Sequence, residues 1–223
     1  GLAFMVYGEA EFYTKHNGGM IRVKETTNYP FDEEILFEII EASSPAELHF
    51  RKIDNTDFSL TLNGESIESE GDFIELIAKT GDVVSIKAKP KAKVITNPDN
   101  SISVKYGNLL MATKLNAEET YIKGILPFED RAYTTTDEWR KAPILKGDNI
   151  NIIEKKQSFI SDLPFENSPF ELNVEGAIID NWKLIKNSAQ IPKPPYDVRL
   201  SELTLVPYGC TRLRVAQYPI IKK

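Results

Sequence analysis

Acidic neighbours recur along this chain: Glu33-Glu34 with Asp32 beside them, Glu118-Glu119, Glu129-Asp130 and Asp137-Glu138. Two carboxyl groups facing each other across a sugar, roughly 5 to 10 Å apart, can cleave a glycosidic bond. Adjacency is no evidence for such a pair, because consecutive side chains on a strand point to opposite faces. These residues read as solvated surface. Cys210 is the only cysteine, and as a nucleophile it would need a histidine or a metal to lower its pKa. Neither His16 nor His49 stands in a catalytic pattern, so a packed, inert thiol is expected. One cysteine and two isolated histidines also offer no zinc-ligand spacing. Asp54-Asn55-Thr56-Asp57 and the stretch 97–100 have oxygen ligands for calcium, but read better as ordinary Asx-rich turns. No cofactor or metal is therefore expected in this chain. Trp139, Trp182, Tyr133 and Tyr196 are the residues suited to stacking against sugar rings. Large aromatics in an all-β chain otherwise go to the core or to a domain interface, and only exposure separates the two outcomes.

Composition narrows the partners. The net charge of −6 argues against a nucleic-acid phosphate backbone. No run approaches the 18 or so apolar residues that a membrane-crossing helix requires. Two tryptophans, nine tyrosines and eleven phenylalanines spread along the 223 residues argue for packed cores rather than disorder. One large domain or two smaller ones fit that length. The opening Gly1-Leu2-Ala3-Phe4-Met5 has no cationic leader and reads as the start of a strand. A chain that opens this way is expected to begin partway through a longer protein.

The elements that would position these residues are strands. Helical periodicity is nearly absent, whereas short apolar or alternating runs are punctuated by turn residues every 8 to 12 positions, the signature of a β-sandwich. Strands are expected over 4–13, 20–26, 35–40, 48–53, 58–62, 73–77, 83–86 and 102–111. Turns are expected at His16-Asn17-Gly18-Gly19, Asn63-Gly64 and Gly81-Asp82. Lys87, Lys89, Lys91 and Lys93 alternate around Pro90, which suggests an anion-binding ladder or, preferably, a charged edge strand that resists aggregation. Residues 134–139 could cap a helical turn. Later strands are expected at 150–154, 170–174 and 197–206. Pro207-Tyr208-Gly209 should then turn the chain into a closing strand that alternates through Leu213 and Val215. The fold class is all-β, with two packed antiparallel, jelly-roll-like sandwiches over 1–115 and 116–223. The last strand, 212–220, would pair back into the first.

Several segments, in order, resemble the region that follows the catalytic domain in β-L-arabinofuranosidase-like proteins of glycoside hydrolase family 127. They are Thr26-Thr27-Asn28-Tyr29-Pro30-Phe31, Asn63-Gly64-Glu65, Gly71-Asp72-Phe73-Ile74 and Gly81-Asp82-Val83. Tyr106-Gly107-Asn108-Leu109-Leu110, Asn181-Trp182-Lys183, Pro194-Pro195 and the closing stretch 207–219 continue the series. Asn108 stands where the family usually has proline, and Lys79-Thr80 replaces a tryptophan-containing stretch. The resemblance implies two β-sandwiches behind an (α/α)6 barrel. In the family that barrel holds a zinc-bound cysteine nucleophile, on a segment that no position here matches. Cys210 inherits no role from it. The chain is accordingly expected to be a non-catalytic tail of an enzyme acting on plant glycans, with the barrel of the same polypeptide as its partner. It would support the barrel, wall its cleft or form a homodimer interface. The alternatives are a free-standing carbohydrate-binding module, with sugar as partner, or an assembly or surface protein.

Overall fold

The computed structural model describes residues 1–16, 19–156 and 163–222. The chain divides into two compact units, Gly1–Lys91 and Ala92–Lys223. Among the described residues there is no α-helix, so the all-β class read from the sequence holds.

The first unit has nine strands: β1 (Leu2–Phe4), β2 (Ala10–His16), β3 (Gly19–Thr27), β4 (Glu34–Ala42), β5 (Ala46–Arg51), β6 (Thr56–Leu62), β7 (Glu65–Ser66), β8 (Phe73–Ala78) and β9 (Val83–Pro90). They form one sheet of order β1-β5-β8 and another of order β2-β3-β4-β9-β6-β7. Alternation explains the core. Ile35, Phe37 and Ile39 of β4, Val84, Ile86 and Ala88 of β9, and Ala46, Leu48 and Phe50 of β5 all turn inward. The inward faces of both sheets share a single apolar cluster. Phe4 stacks on Phe50 at 4.9 Å, and Phe37 meets both rings at 4.7 and 5.0 Å. Truncating a ring so enclosed costs about 3–5 kcal/mol.

Several expectations need correction here. The stretch 4–13 is two strands in different sheets, with Met5 to Glu9 carrying the chain across. The lysine ladder is split: β9, which carries Lys87 and Lys89, is hydrogen-bonded to β4 on one side and β6 on the other and ends at Pro90, whereas Lys93 lies on the next strand, Ala92–Thr96, at the edge of the second unit's sheet. Lys87 and Lys89 are simply the solvent phase of an interior strand, and Lys91 pairs with Asp57. Asn17 and Gly18 of the first expected turn lie outside the described residues. The turn at Asn63 (φ 52°) and Gly64 (φ 86°) joins β6 to β7, because both positions require the left-handed conformation that these residues tolerate.

The second unit begins with β10 (Ala92–Thr96), β11 (Ile102–Tyr106), β12 (Leu109–Thr113), β13 (Glu118–Lys123), β14 (Asp130–Thr134), β15 (Lys141–Leu145) and β16 (Ile152–Lys156). It continues with β17 (Phe170–Ile179), β18 (Leu184–Ile185), β19 (Ser188–Ala189), β20 (Val198–Pro207) and β21 (Ile221–Lys222). The main sheet has the order β10-β11-β12-β20-β17-β15-β21, and β16 shares an edge of β17 with β15. Two hairpins, β13–β14 and β18–β19, stand apart from that sheet. Pairing is antiparallel throughout except β1 with β5 and β15 with β21.

The division at residue 91 precedes the boundary expected at 115. Residues 92–113 hydrogen-bond through β12 to β20, which anchors them in the second unit. The change in texture after residue 112 marks the exposed hairpin instead. The run 102–111 is itself broken into β11 and β12 by a loop at Gly107-Asn108. No helical turn forms at 134–139: Thr135 accepts the Asp137 N–H and Glu138 the Arg140 N–H, closing local turns. After a 3-10 turn at Tyr208–Cys210 the closing segment is irregular rather than a strand. It does run back to Ile102 and Thr113, through Tyr218 and Val215, but both partners belong to the second unit.

Candidate functional cleft

In the second unit, a polar cleft of about 460 Å³ opens between the exit of β12, the β13–β14 hairpin, the loop before β17 and the segment after the 3-10 turn. Register places its central pair. Glu119 on β13 lies directly opposite Tyr133 on β14, and the phenol donates to the Glu119 carboxylate at 2.7 Å. Arg131 makes an ion pair with the same carboxylate. Arg212 comes from the closing segment and donates from Nη1 to the Tyr133 oxygen at 2.9 Å. Its guanidinium lies 4.9 Å from the ring centres of both Tyr133 and Phe165, a doubly stacked cation. Lys114 and Glu171 close another wall with a 2.6 Å ion pair.

Cys210 is buried and lines the cleft, and burial pushes its thiol above the ordinary range against a weaker lowering by a hydrogen bond with Ser168. A thiol held that way is a poor nucleophile. Among the described residues, no histidine lines the cleft. The polar edges that remain, including Asn116, Asn167 and the guanidinium of Arg212, suit a ligand rich in hydroxyl groups.

The four aromatics singled out in the sequence do not form one platform. Tyr133 belongs to the cleft. Trp182 is 1% exposed, so no face of its indole is open to a sugar. Half-buried Trp139 meets it edge to face at 5.4 Å. Tyr196 lines a separate depression with Ser188, Lys193 and Gln217. The motif residues Asn181 and Pro195 do meet: the Asn181 amide donates to the Pro195 carbonyl at 3.0 Å.

Among the acidic neighbours, Glu119 and Glu129 share Arg131, Asp130 pairs with Lys123 and Glu138 with Arg140. The Arg140 guanidinium holds the Glu138 carboxyl below its usual range. At 97–100 the Asp99 carboxylate is taken up by the N–H and hydroxyl of Ser101, an Asx turn. Glu25 was not anticipated. It occupies the inward phase of β3 after Ile21 and Val23 and is 1% exposed. Alternation alone would have found it.

No protein-family model matches the chain, and no curated protein does. Solved structures do. The GH127 β-L-arabinofuranosidase of Geobacillus stearothermophilus T6 matches with a TM-score of 0.65 at 14% identity, over 99% of this chain and 33% of its own. A chain described as a glycoside hydrolase matches at 0.64 and 16% identity, over 98% and 36%. A second GH127 β-arabinofuranosidase matches at 0.64 and 13% identity, over 99% and 36%. The chain thus spans about a third of the glycoside hydrolase chains whose fold it shares. At such identities the likeness establishes the fold.

Proposed function

We propose that this chain is the non-catalytic, C-terminal β-sandwich region of a glycoside hydrolase of the β-L-arabinofuranosidase kind, working on plant glycans. It would buttress a helical catalytic barrel in the same polypeptide. The observation that carries this reading is coverage: nearly all of this chain superposes on only a third of glycoside hydrolase chains. An apolar tip on the β13–β14 hairpin supports it, with Ile125, Leu126 and Phe128 exposed by 79, 76 and 83%. Bare side chains of that size call for a covering surface.

The size of the native protein in its source cells tests the reading, using an antibody raised against this chain. A band near 70 kDa is expected, which is what 25.2 kDa makes if it is 36% of the whole. A band near 25 kDa would overturn it. A second reading, sugar binding at the cleft, is favoured by the Tyr133–Arg212–Phe165 stack beside the Asn116 and Asn167 side chains. Arabino-oligosaccharide titration of the chain and of Arg212→Ala tests it, with loss of a saturable signal in the variant as the expected result.

A further inference from the structure

Both nitrogens of the His49 imidazole face a carboxylate on the outer side of the β1-β5-β8 sheet. Nε2 lies 3.4 Å from Glu47 and Nδ1 lies 3.3 Å from Glu75. The backbone fixes this arrangement. Glu47 and His49 are two residues apart on β5 and share its outward face, and His49 pairs across the ladder with Glu75 of β8. One ligand atom from each residue lies within 4.8 Å of the others. The imidazole is about three-quarters covered, and the carboxylates are exposed enough to turn.

An imidazole nitrogen without a proton can ligate a metal ion, and a carboxylate oxygen of each glutamate lies close to the ring. The amino group of Gly1 approaches Glu47 at 3.7 Å, but it is an ion pair to the carboxylate rather than a bond to the ring. From these facts we infer that Glu47, His49 and Glu75 form a binding site for a first-row divalent cation of the zinc type. Imidazole nitrogen with carboxylate oxygen is a ligand set such ions accept, at bond lengths of about 2.0 to 2.2 Å. Ligand atoms around such an ion sit about 3.4 Å apart, close to the 3.3 Å between Nδ1 and the Glu75 carboxylate. Gly1 crowds the Nε2 edge of the ring, so Nδ1 would take the metal beside Glu75, and the Nε2 N–H would donate to Glu47 and fix the ring, as partners of metal-bound histidines do. The ion would tie β8, at the edge of its sheet, to β5.

The test is calorimetric titration of the untagged chain with zinc chloride at neutral pH, followed by cobalt(II) absorption to read the coordination. One equivalent is expected to bind, and the melting temperature of the first unit should rise with zinc. His49→Ala should abolish binding, and Glu47→Gln and Glu75→Gln should each weaken it about 10- to 100-fold. His16→Ala, the only other histidine, should leave it unchanged. The proposal falls if no saturation is reached at millimolar zinc, or if His49→Ala, shown folded by circular dichroism, binds as the parent does. It stands or falls independently of the enzyme reading.

Discussion

Glu25 and Gly8 make one hydrogen bond inside the first unit: the Gly8 N–H donates to Oε1 at 2.8 Å, while the buried Oε2 has no partner among the described residues. Burial pushes the carboxyl up from 4.5 to about 7, against a lowering by that hydrogen bond. The phenol of Tyr7 is raised as well, by its own burial and then by the charge of Glu25.

The folded state therefore binds a proton more tightly than the unfolded state does. Between about pH 4.5 and 7 the native protein carries more protons at this site, so its stability falls as pH rises through that window. The full effect is on the order of 3 kcal/mol. Glu25→Gln keeps the shape and removes the titration. Denaturant unfolding followed by circular dichroism should show the variant gaining on the parent between pH 5 and pH 8. Equal slopes against pH for the two proteins would refute this.

Asn63 locks the turn between β6 and β7 to the start of β9. Its amide donates to Asp82 at 2.9 Å, and its oxygen accepts the Val83 N–H at 2.9 Å. Together with the Lys79 N–H, that bond holds the Asp82 carboxyl below its ordinary range, so this contribution is lost as pH falls through the depressed value. Asn63→Ala loses both bonds and puts a Cβ residue without local bonding at φ 52°. A loss of about 1–2 kcal/mol is expected in denaturant titration. Asn63→Gly relieves the backbone and should recover part of it.

Much of the first unit was legible because its code is local. Asn63-Gly64 announces a hairpin, and the alternation in β4, β5 and β9 announces which side chains turn inward. Pairing between distant segments was not legible. Nothing local tells that Lys87 and Lys89 sit on an interior strand, or that residues 92–113 join β20 through β12 rather than the sheets before them. The same limit hid the cation site. The β6–β7 hairpin lies between His49 and Glu75 in the chain, and only the β5–β8 ladder makes them neighbours. The aromatic residues illustrate the rest. Sequence named Trp182, but its burial against Trp139 follows from packing that no spacing records.

That burial gives a direct expectation for fluorescence. With Trp139→Phe, Trp182 is the sole tryptophan, and its emission should be blue-shifted and resistant to iodide quenching. Trp182→Ala empties one of the largest fully buried sites in the chain and should cost about 3–5 kcal/mol. The indole N–H is buried without a hydrogen-bond partner among the described residues, so Trp182→Phe removes an unsatisfied donor along with part of the ring and should cost much less. Red-shifted, readily quenched emission from Trp182 would return that ring to the list of sugar-stacking candidates.

The β13–β14 hairpin separates stability from docking. Every residue of β13 is exposed, and Tyr121, Ile125, Leu126 and Phe128 add apolar surface toward its tip. Gly124, at φ 99°, makes the turn, and a Cβ there would meet the Phe128 carbonyl at 2.5 Å. A triple substitution of Ile125, Leu126 and Phe128 to serine removes nothing from a core, so unfolding of the chain alone should shift by no more than about 0.5 kcal/mol per site. If the tip is covered by a catalytic domain, the same triple variant in the full-length enzyme should raise its susceptibility to limited proteolysis and expose the domain junction. In the chain alone it should only reduce binding of an apolar dye such as ANS. Unchanged protease resistance in the full-length variant would remove the hairpin from that interface and leave the coverage of the fold as the remaining support for the enzyme reading.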